Sequence, residues 1–350
     1  MKAILVDPSL DERWDQFVES HPYGWVCHLS GWKRALEAAF PHMRGHYLAL
    51  VDDSGEIQAG LPLFEVRSPI TGNRLVSIPF ATLCDPLVQT RVQWDILLEK
   101  AKELAKRTKV AWMEIRAYRN TAFLNDSNLT PYMRFKNHYL LLNKPTEELF
   151  RSFHPSTVRY MIKKASKLPC EIKEADIEEE VQSFYRLYTI TRKRLGLPPQ
   201  PLRFFFLWRE LGAENIKFLL ALLSGKPIAA LMLLVFKERA SWEAVGLVDE
   251  ARSSGIGYLL VWEAIKKAHI EGKKIFDFGR TTVENQGLMA FKSRWGTQVM
   301  DLPQFYWPEK RPTQRERLMD HWESRMRKIC SKFPTPIFRA LGSLCYKHMG

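Results

Sequence analysis

The sequence predicts an α/β (α+β) chain of two domains in tandem, each with strands and helices interleaved, followed by a basic helical tail. Three observations carry this. At 350 residues the chain exceeds one ordinary core and fits two domains of about 150 residues each. Segments of helical and strand period follow one another through both halves. In the second half they fall in the order strand, Gly turn, strand, strand, Gly loop, helix, strand. A composition 46% hydrophobic and 26% charged suits ordinary globular cores and excludes disordered and collagen-like classes.

In the first half, Trp32, Leu36 and Phe40 have helical spacing, and residues 46–51 and 58–66 are strand runs joined by the turn Asp52-Asp53-Ser54-Gly55. A strand over 75–80, an amphipathic helix over 94–107 and a strand over 110–116 complete a first domain, 1–145. The polar patch Asn143-Lys144-Pro145-Thr146 marks its end, with Thr146 to Glu148 reading as an N-cap and an acidic first turn. The second domain, 146–308, holds helices over about 147–167, 177–195 and 202–211, and strands over 216–223, 227–237 and 240–248. A helix over 256–269 and a strand over 274–278 follow.

The tail, 309–350, has nine Arg or Lys against three acids from Arg311 onward, with Leu318, Trp322, Met326 and Ile329 at helical spacing. It reads either as a helix packed on the second domain or as a basic amphipathic face for anionic lipid.

A formal charge of +13 points to an anionic partner, and a phosphorylated cofactor, a nucleic acid or an acidic membrane would each satisfy it. The start carries no secretory apolar run, and no later stretch nears the roughly 18 apolar residues of a membrane span. The expectation is a cytoplasmic protein, with the inner membrane face within reach of the tail. The cysteines at 27, 84, 170, 330 and 345 lack metal or redox spacing and read as reduced and structural. The histidines show no ligand spacing, so no metal is expected. Ser253 and Ser254 lack a nucleophile-elbow context, and no module that reads DNA or other nucleic acid is recognisable.

The most informative stretch runs from Trp242 to Tyr258, where a β-rich run gives way to R-x-x-G-x-G and a helix begins directly behind it. Glycines let backbone N–H groups approach a ligand, and a new helix offers unpaired donors and the positive end of its dipole, as a pyrophosphate requires. The same residues could equally be a plain turn with an N-cap.

This strand, R-x-x-G-x-G, helix arrangement resembles the CoA-pyrophosphate loop of the GNAT acyltransferases. Phe276-Asp277-Phe278-Gly279-Arg280 and Phe291-Lys292-Ser293-Arg294-Trp295-Gly296 are similar to the F-D-F-G-R and F-K-x-x-W-G pair of the superfamily's FemAB-like branch. Val158-Arg159-Tyr160-Met161-Ile162-Lys163-Lys164-Ala165 resembles that branch's R-x-x-I-R-K-A helix. The motifs fall in the family's order over roughly residues 20–310, nearest the FemAB proteins that accompany exopolysaccharide and exosortase loci.

The resemblance implies two tandem GNAT-like domains, each a mixed, mostly antiparallel sheet flanked by helices, with the active cleft in or beside the second. It also implies transfer of an acyl group, from CoA or from aminoacyl-tRNA, onto an amine of a cell-wall or surface-glycan precursor. No inserted helical arm for tRNA is visible, and the R-x-x-G-x-G loop is closer to CoA-binding relatives, so acyl-CoA is the expected co-substrate and tRNA the alternative. Arg252, Ser253, Ser254, Gly255, Ile256, Gly257 and Tyr258 would then hold the CoA.

Amine attack needs a base for the ammonium proton and charge to meet the developing oxyanion. Glu243, in the strand feeding the loop, is the first candidate base; it could also be an outward strand carboxylate. Asp277 lies opposite Phe276 and Phe278 on a strand and is either a second base or a structural partner of Arg280. Lys292 matches the lysine that relatives place in the substrate channel. Arg159, Lys163, Lys164 and Lys167, mostly on one side of a helix, would with Arg280 meet a phosphorylated, lipid-linked acceptor, or form a solvated face. A non-catalytic scaffold for polysaccharide export at the membrane surface is the third reading.

Overall fold

The structure is a computed structural model that describes residues 1–350 other than Asn120, Asp126, Ala213 and 309–326. Counting these residues, the chain forms two compact units, one of 1–135, 301–308 and 344–350, the other of 136–300 and 327–343. The division falls at 135/136, inside a strand, and thus ahead of the polar patch, whose residues 143–145 are a loop within the second unit and lead into a helix at Thr146. The tail is no separate unit, because its described residues are shared between the other two. Leu318, Trp322 and Met326 lie outside the described residues, and Ile329, expected on their face, is exposed.

In the first unit β1 (Lys2–Val6), β2 (Met43–Val51) and β3 (Ile57–Val66) pair antiparallel in sequence. β4 (Arg74–Val76) joins β3 antiparallel and runs parallel to β5 (Trp112–Arg116), with helix α3 (Arg91–Thr108) as the crossover. Two further helices, α1 (Arg13–Ser20) and α2 (Ser30–Ala39), precede β2, and a short α4 (Thr121–Asn125) follows β5. α3 starts where Thr90 accepts from the Gln93 backbone N–H while the Gln93 side chain accepts from Thr90, so two otherwise unpaired donors are met. Its apolar stripe, Trp94, Leu97, Leu98, Ala101 and Leu104, packs on Leu48, Leu50 and Leu61 of the sheet. The strand expected over 75–80 ends at Val76, and Phe80, at φ 61°, already lies in a left-handed turn.

In the second unit the strand order is β6 (Thr130–Leu141), β11 (Ile275–Thr282), β10 (Arg239–Leu247), β9 (Lys226–Phe236), β8 (Ile216–Leu223) and β7 (Cys170–Glu174). β7 to β10 pair antiparallel, and β10 runs parallel to β11. The helix expected over 147–167 is broken into α5 (Thr146–Ser152), a π turn (Pro155–Arg159) and α6 (Tyr160–Ala165). Pro155 cannot donate to an i−4 carbonyl, so one continuous helix is not available. Pro145, rather than Thr146, occupies the N-cap of α5. α7 (Glu178–Arg194) and α8 (Leu202–Leu211) form as the sequence predicts. α10 (Ile256–Ile270) is apolar nearly all round and buries Ile256, Leu260, Ala264 and Ile265 in a core with Phe276 and Phe278. Among the described residues no helix is long and apolar enough to cross a membrane.

Candidate active site

The site is set by an irregularity in β10. Trp242 faces Leu233 and Ala244 faces Met232, so Glu243 is an extra residue with no opposite number on β9, a β-bulge. The bulge reverses the pleat: Ala240 and Trp242 belong to the apolar core before it, Val245 and Leu247 after it. Strict alternation could not put all four on one face. β10 also pairs with β11 only from Arg239 to Ser241, opposite Ile275 to Asp277, and the two parallel strands then part. Glu243 stands at the mouth of that parting, accepting a 2.8 Å hydrogen bond from Ser241 Oγ. Burial pushes its carboxyl up to about 7, and the nearby Asp277 charge adds to the shift. A group poised there can take a proton at neutral pH.

Lys292 approaches from α11 (Gln286–Ser293), where Asn285 caps the helix by accepting from the Leu288 N–H. Its Nζ donates to the carbonyls of Gly279 (2.7 Å) and Arg280 (3.1 Å), which leaves one of three ammonium N–H groups for a substrate. Burial lowers its pKa to about 8, against the pull of Asp277 and Glu243. Arg280, exposed on β11, adds positive charge that Glu243 feels.

Asp277 is fully buried and already satisfied. It accepts from Arg239 Nη1 (2.5 Å), Asn137 Nδ2 (2.8 Å) and the Gly279 backbone N–H (2.7 Å). Its cation is thus Arg239 rather than the expected Arg280, and three donors on the buried carboxylate hold β11 to its neighbours. Behind Lys292, buried His138 contacts Thr297 Oγ1 at 3.2 Å and Met289 Sδ at 3.2 Å. Burial, then the Lys292 charge, lowers its pKa to about 4, which keeps it neutral.

The residues assigned to a cofactor are arranged otherwise than expected. Asp249–Ser254 is not a loop but a short helix, α9, with Arg252 exposed and bonded to Asp249 at 3.3 Å. Gly255, at φ 88°, ends α9 and begins α10, and a Cβ there would meet the Met161 carbonyl oxygen of α6 at 2.5 Å. Gly257 faces Leu247, and Ile256 is core. Tyr258 stacks on Trp295 at 5.9 Å within the same apolar cluster. A side chain at Gly255 would thus strike α6, and one at Gly257 would press on Leu247. Ser253 Oγ returns to the Glu250 carbonyl, while Ser254 Oγ is buried without a partner.

Of the expected cationic helix, Lys163 and Lys167 are exposed and Lys164 Nζ donates to the Ser253 carbonyl at 2.9 Å, tying α6 to α9. Arg159 is half-buried, its Nε unpaired. Glu243, Lys292 and Arg280 thus come together, whereas Arg252 to Tyr258 and the α6 cations belong to a separate helix junction. Sequence reasoning missed Arg239, Ser241, Asn137 and His138. Ser241 was within reach as an i, i+2 neighbour of Glu243, but Asn137 meets Asp277 from another strand and carried no local signal.

The acetyltransferase (GNAT) domain family matches residues 152–293, which hold the bulge, the parting strands and Lys292. The UDP-N-acetylmuramoylpentapeptide-lysine N(6)-alanyltransferase of Weissella viridescens is 22% identical over 325 residues, covering 86% of this chain and 93% of that one. The crystal structure of FemX matches with a TM-score of 0.72 at 17% identity, over 88% of this chain and 97% of that one. Residues 152–293 thus match the GNAT domain family, and the chain is similar over most of its length to this alanyltransferase and to FemX. Its two-unit fold is also that of a tandem GNAT protein from the clavulanic acid biosynthesis pathway, with a TM-score of 0.55 at 13% identity over 87% of this chain and 97% of that one. Its two units thus share the fold of tandem GNAT-like proteins, the second holding the residues argued above.

Proposed function

We propose that this chain transfers an acyl group to a primary amine of a cell-wall or surface-glycan precursor, with Glu243 as general base. The observation that carries the reading is Glu243 itself: the extra residue of a bulge, pushed up to about 7, at the parting of β10 and β11 beside a buried ammonium. The Weissella viridescens relative, named for alanyl transfer to a lysine N6 of UDP-N-acetylmuramoylpentapeptide, supports an amine acceptor of this class.

Glu243 takes a proton from the substrate ammonium, the freed amine attacks the donor carbonyl, and the acyl C–O or C–S bond breaks as the amide C–N bond forms, the second proton lost by the nitrogen leaving on the departing hydroxyl or thiol. The remaining Lys292 N–H meets the negative charge that develops on the carbonyl oxygen or resides on a substrate phosphate. The relative's name as an alanyltransferase favours an aminoacyl ester, such as an aminoacyl-tRNA, over acyl-CoA. The unpaired Ser254 Oγ beside the start of α10 is the feature that speaks for acyl-CoA.

Glu243→Gln is expected to lower kcat by roughly 10²–10⁴-fold with the fold intact. Turnover is expected to rise through about pH 7 as Glu243 loses its proton and to fall above about pH 8 as Lys292 loses its charge. Single-turnover assays on a lysine-containing muramoyl pentapeptide, with alanyl-tRNA in one arm and acetyl-CoA in the other, test both base and donor. Unchanged turnover in Glu243→Gln with either donor overturns the base, and amide formation with acetyl-CoA alone overturns the donor preference.

A further inference from the structure

We infer that the second unit carries a separate phosphate-binding groove between α7 and the helix Thr335–Cys345. It goes beyond the acyl-transfer site and shares neither Glu243 nor Lys292 with it. The groove is a cavity of about 710 Å³. Arg186, Lys193, Arg194 and Arg339 line it together with the hydroxyl residues Thr189, Ser331 and Thr335, and among the described residues no carboxylate does.

The sequence explains how the cations converge. Arg186, Ile190 and Lys193 recur at helical spacing on one face of α7, with Arg194 beside them. The opposite wall brings Arg339 from the first turns of an 11-residue helix that begins at Thr335, so the positive end of that helix's dipole adds to the same field. Gly342 lets this helix approach closely, since a Cβ there would meet the Pro199 carbonyl oxygen at 2.2 Å. Arg339 stacks over the Tyr185 ring at 5.1 Å, which fixes its guanidinium, yet its Nε is buried with no hydrogen-bond partner.

Four like charges held in a concave, partly desolvated space repel one another, and the arrangement is relieved when an anion enters. Planar guanidinium forks with hydroxyl donors match tetrahedral phosphate oxygens, and Ile190 supplies an apolar wall for what the phosphate is attached to. The ligand class is a phosphate or phosphodiester group. Arg194 ends the groove and also donates to Asp249 of α9 at 3.2 Å.

The test uses the full-length protein, wild type, Arg186→Ala/Lys193→Ala and the conservative Arg186→Lys. Both positions are on the groove's open side, Arg186 being exposed, so folding is retained. Titration calorimetry with inorganic pyrophosphate probes a free phosphate. Co-sedimentation with phosphatidylglycerol vesicles, against phosphatidylcholine alone, probes a lipid headgroup. Binding of pyrophosphate that weakens roughly tenfold or more in the double variant, and is largely kept in Arg186→Lys, supports the groove with a soluble ligand. The same pattern with vesicles alone supports it with a headgroup. Binding of neither probe by the wild type, or equal binding by wild type and double variant, overturns it.

Discussion

His138 and the Asp277–Arg239 pair show how the candidate base is supported. His138 has a native pKa near 4 against an ordinary 6.5, so between those values the unfolded chain binds the proton and the native chain does not. Its contribution to stability is full above about pH 6.5 and is lost as pH falls towards 4, a loss on the order of 2–3 kcal/mol. Glu243, raised to about 7, acts oppositely across part of this window, so the comparison is between wild type and His138→Asn, both of which keep it. Denaturant midpoints from pH 7 to 4 are expected to fall less steeply for His138→Asn; equal slopes would exclude the histidine as the cause. Asp277→Ala removes the carboxylate that Arg239 meets where only about 10% of the arginine side chain is exposed. A loss of about 3–5 kcal/mol in urea unfolding is expected. At this scale the sequence disclosed Glu243 and Lys292 through motif context, and Asp277 as a carboxylate opposite two phenylalanines. It did not disclose which cation Asp277 meets, because that choice is made by strand register: Ser241 lies opposite Asp277, and Arg239 reaches it from two residues back.

Among the elements, the α9–Gly255–α10 junction departs most from expectation. A Gly-rich stretch behind a strand has two physical uses, approach to a ligand and approach to another backbone, and composition does not distinguish them. Here α6 takes the space, and α6 was legible only as a basic helix. Gly255→Ala combines a disfavoured φ of 88° with a 2.5 Å contact to a carbonyl, and is expected to destabilise the protein by about 2–4 kcal/mol and to shift α6. Protection of the α6 amides in hydrogen exchange should drop in that variant; unchanged protection would mean that the junction yields elsewhere. Most strand and helix positions were readable from period alone, as α3, α7, α8 and α10 illustrate. The strand over 75–80 and the helix over 147–167 were not, since Ser77 to Phe80 leave the ladder and Pro155 interrupts the helix.

Across the molecule, two cores are separately built, and the last residues belong to both. Tyr346 lies within 5.4 Å of Phe80 and 6.3 Å of Phe40, ring to ring, in the first unit, while Arg74 donates to the His348 carbonyl. The residues before it, 327–343, pack with the second unit. Tyr346→Ala is expected to cost about 3 kcal/mol, read as a lowered melting midpoint with the second unit's turnover retained at low temperature. An unchanged midpoint would show that the segment docks without stabilising. The tail's apolar positions thus answered the question left open between packing and a free surface only in part, because Phe338 is fully buried whereas Ile337 and Leu344 are exposed. The bulge at Glu243 has a consequence for inheritance. A strand's two faces work like a reading frame of period two, and the extra residue is a frameshift written into β10. Deleting Glu243 would restore a regular ladder in which Val245 and Leu247 still face the core, and would remove the extra residue that the bulge presents at the parting. Substitutions can tune this site, but a change in length at this point removes it, and lineages that keep the chemistry should keep the count.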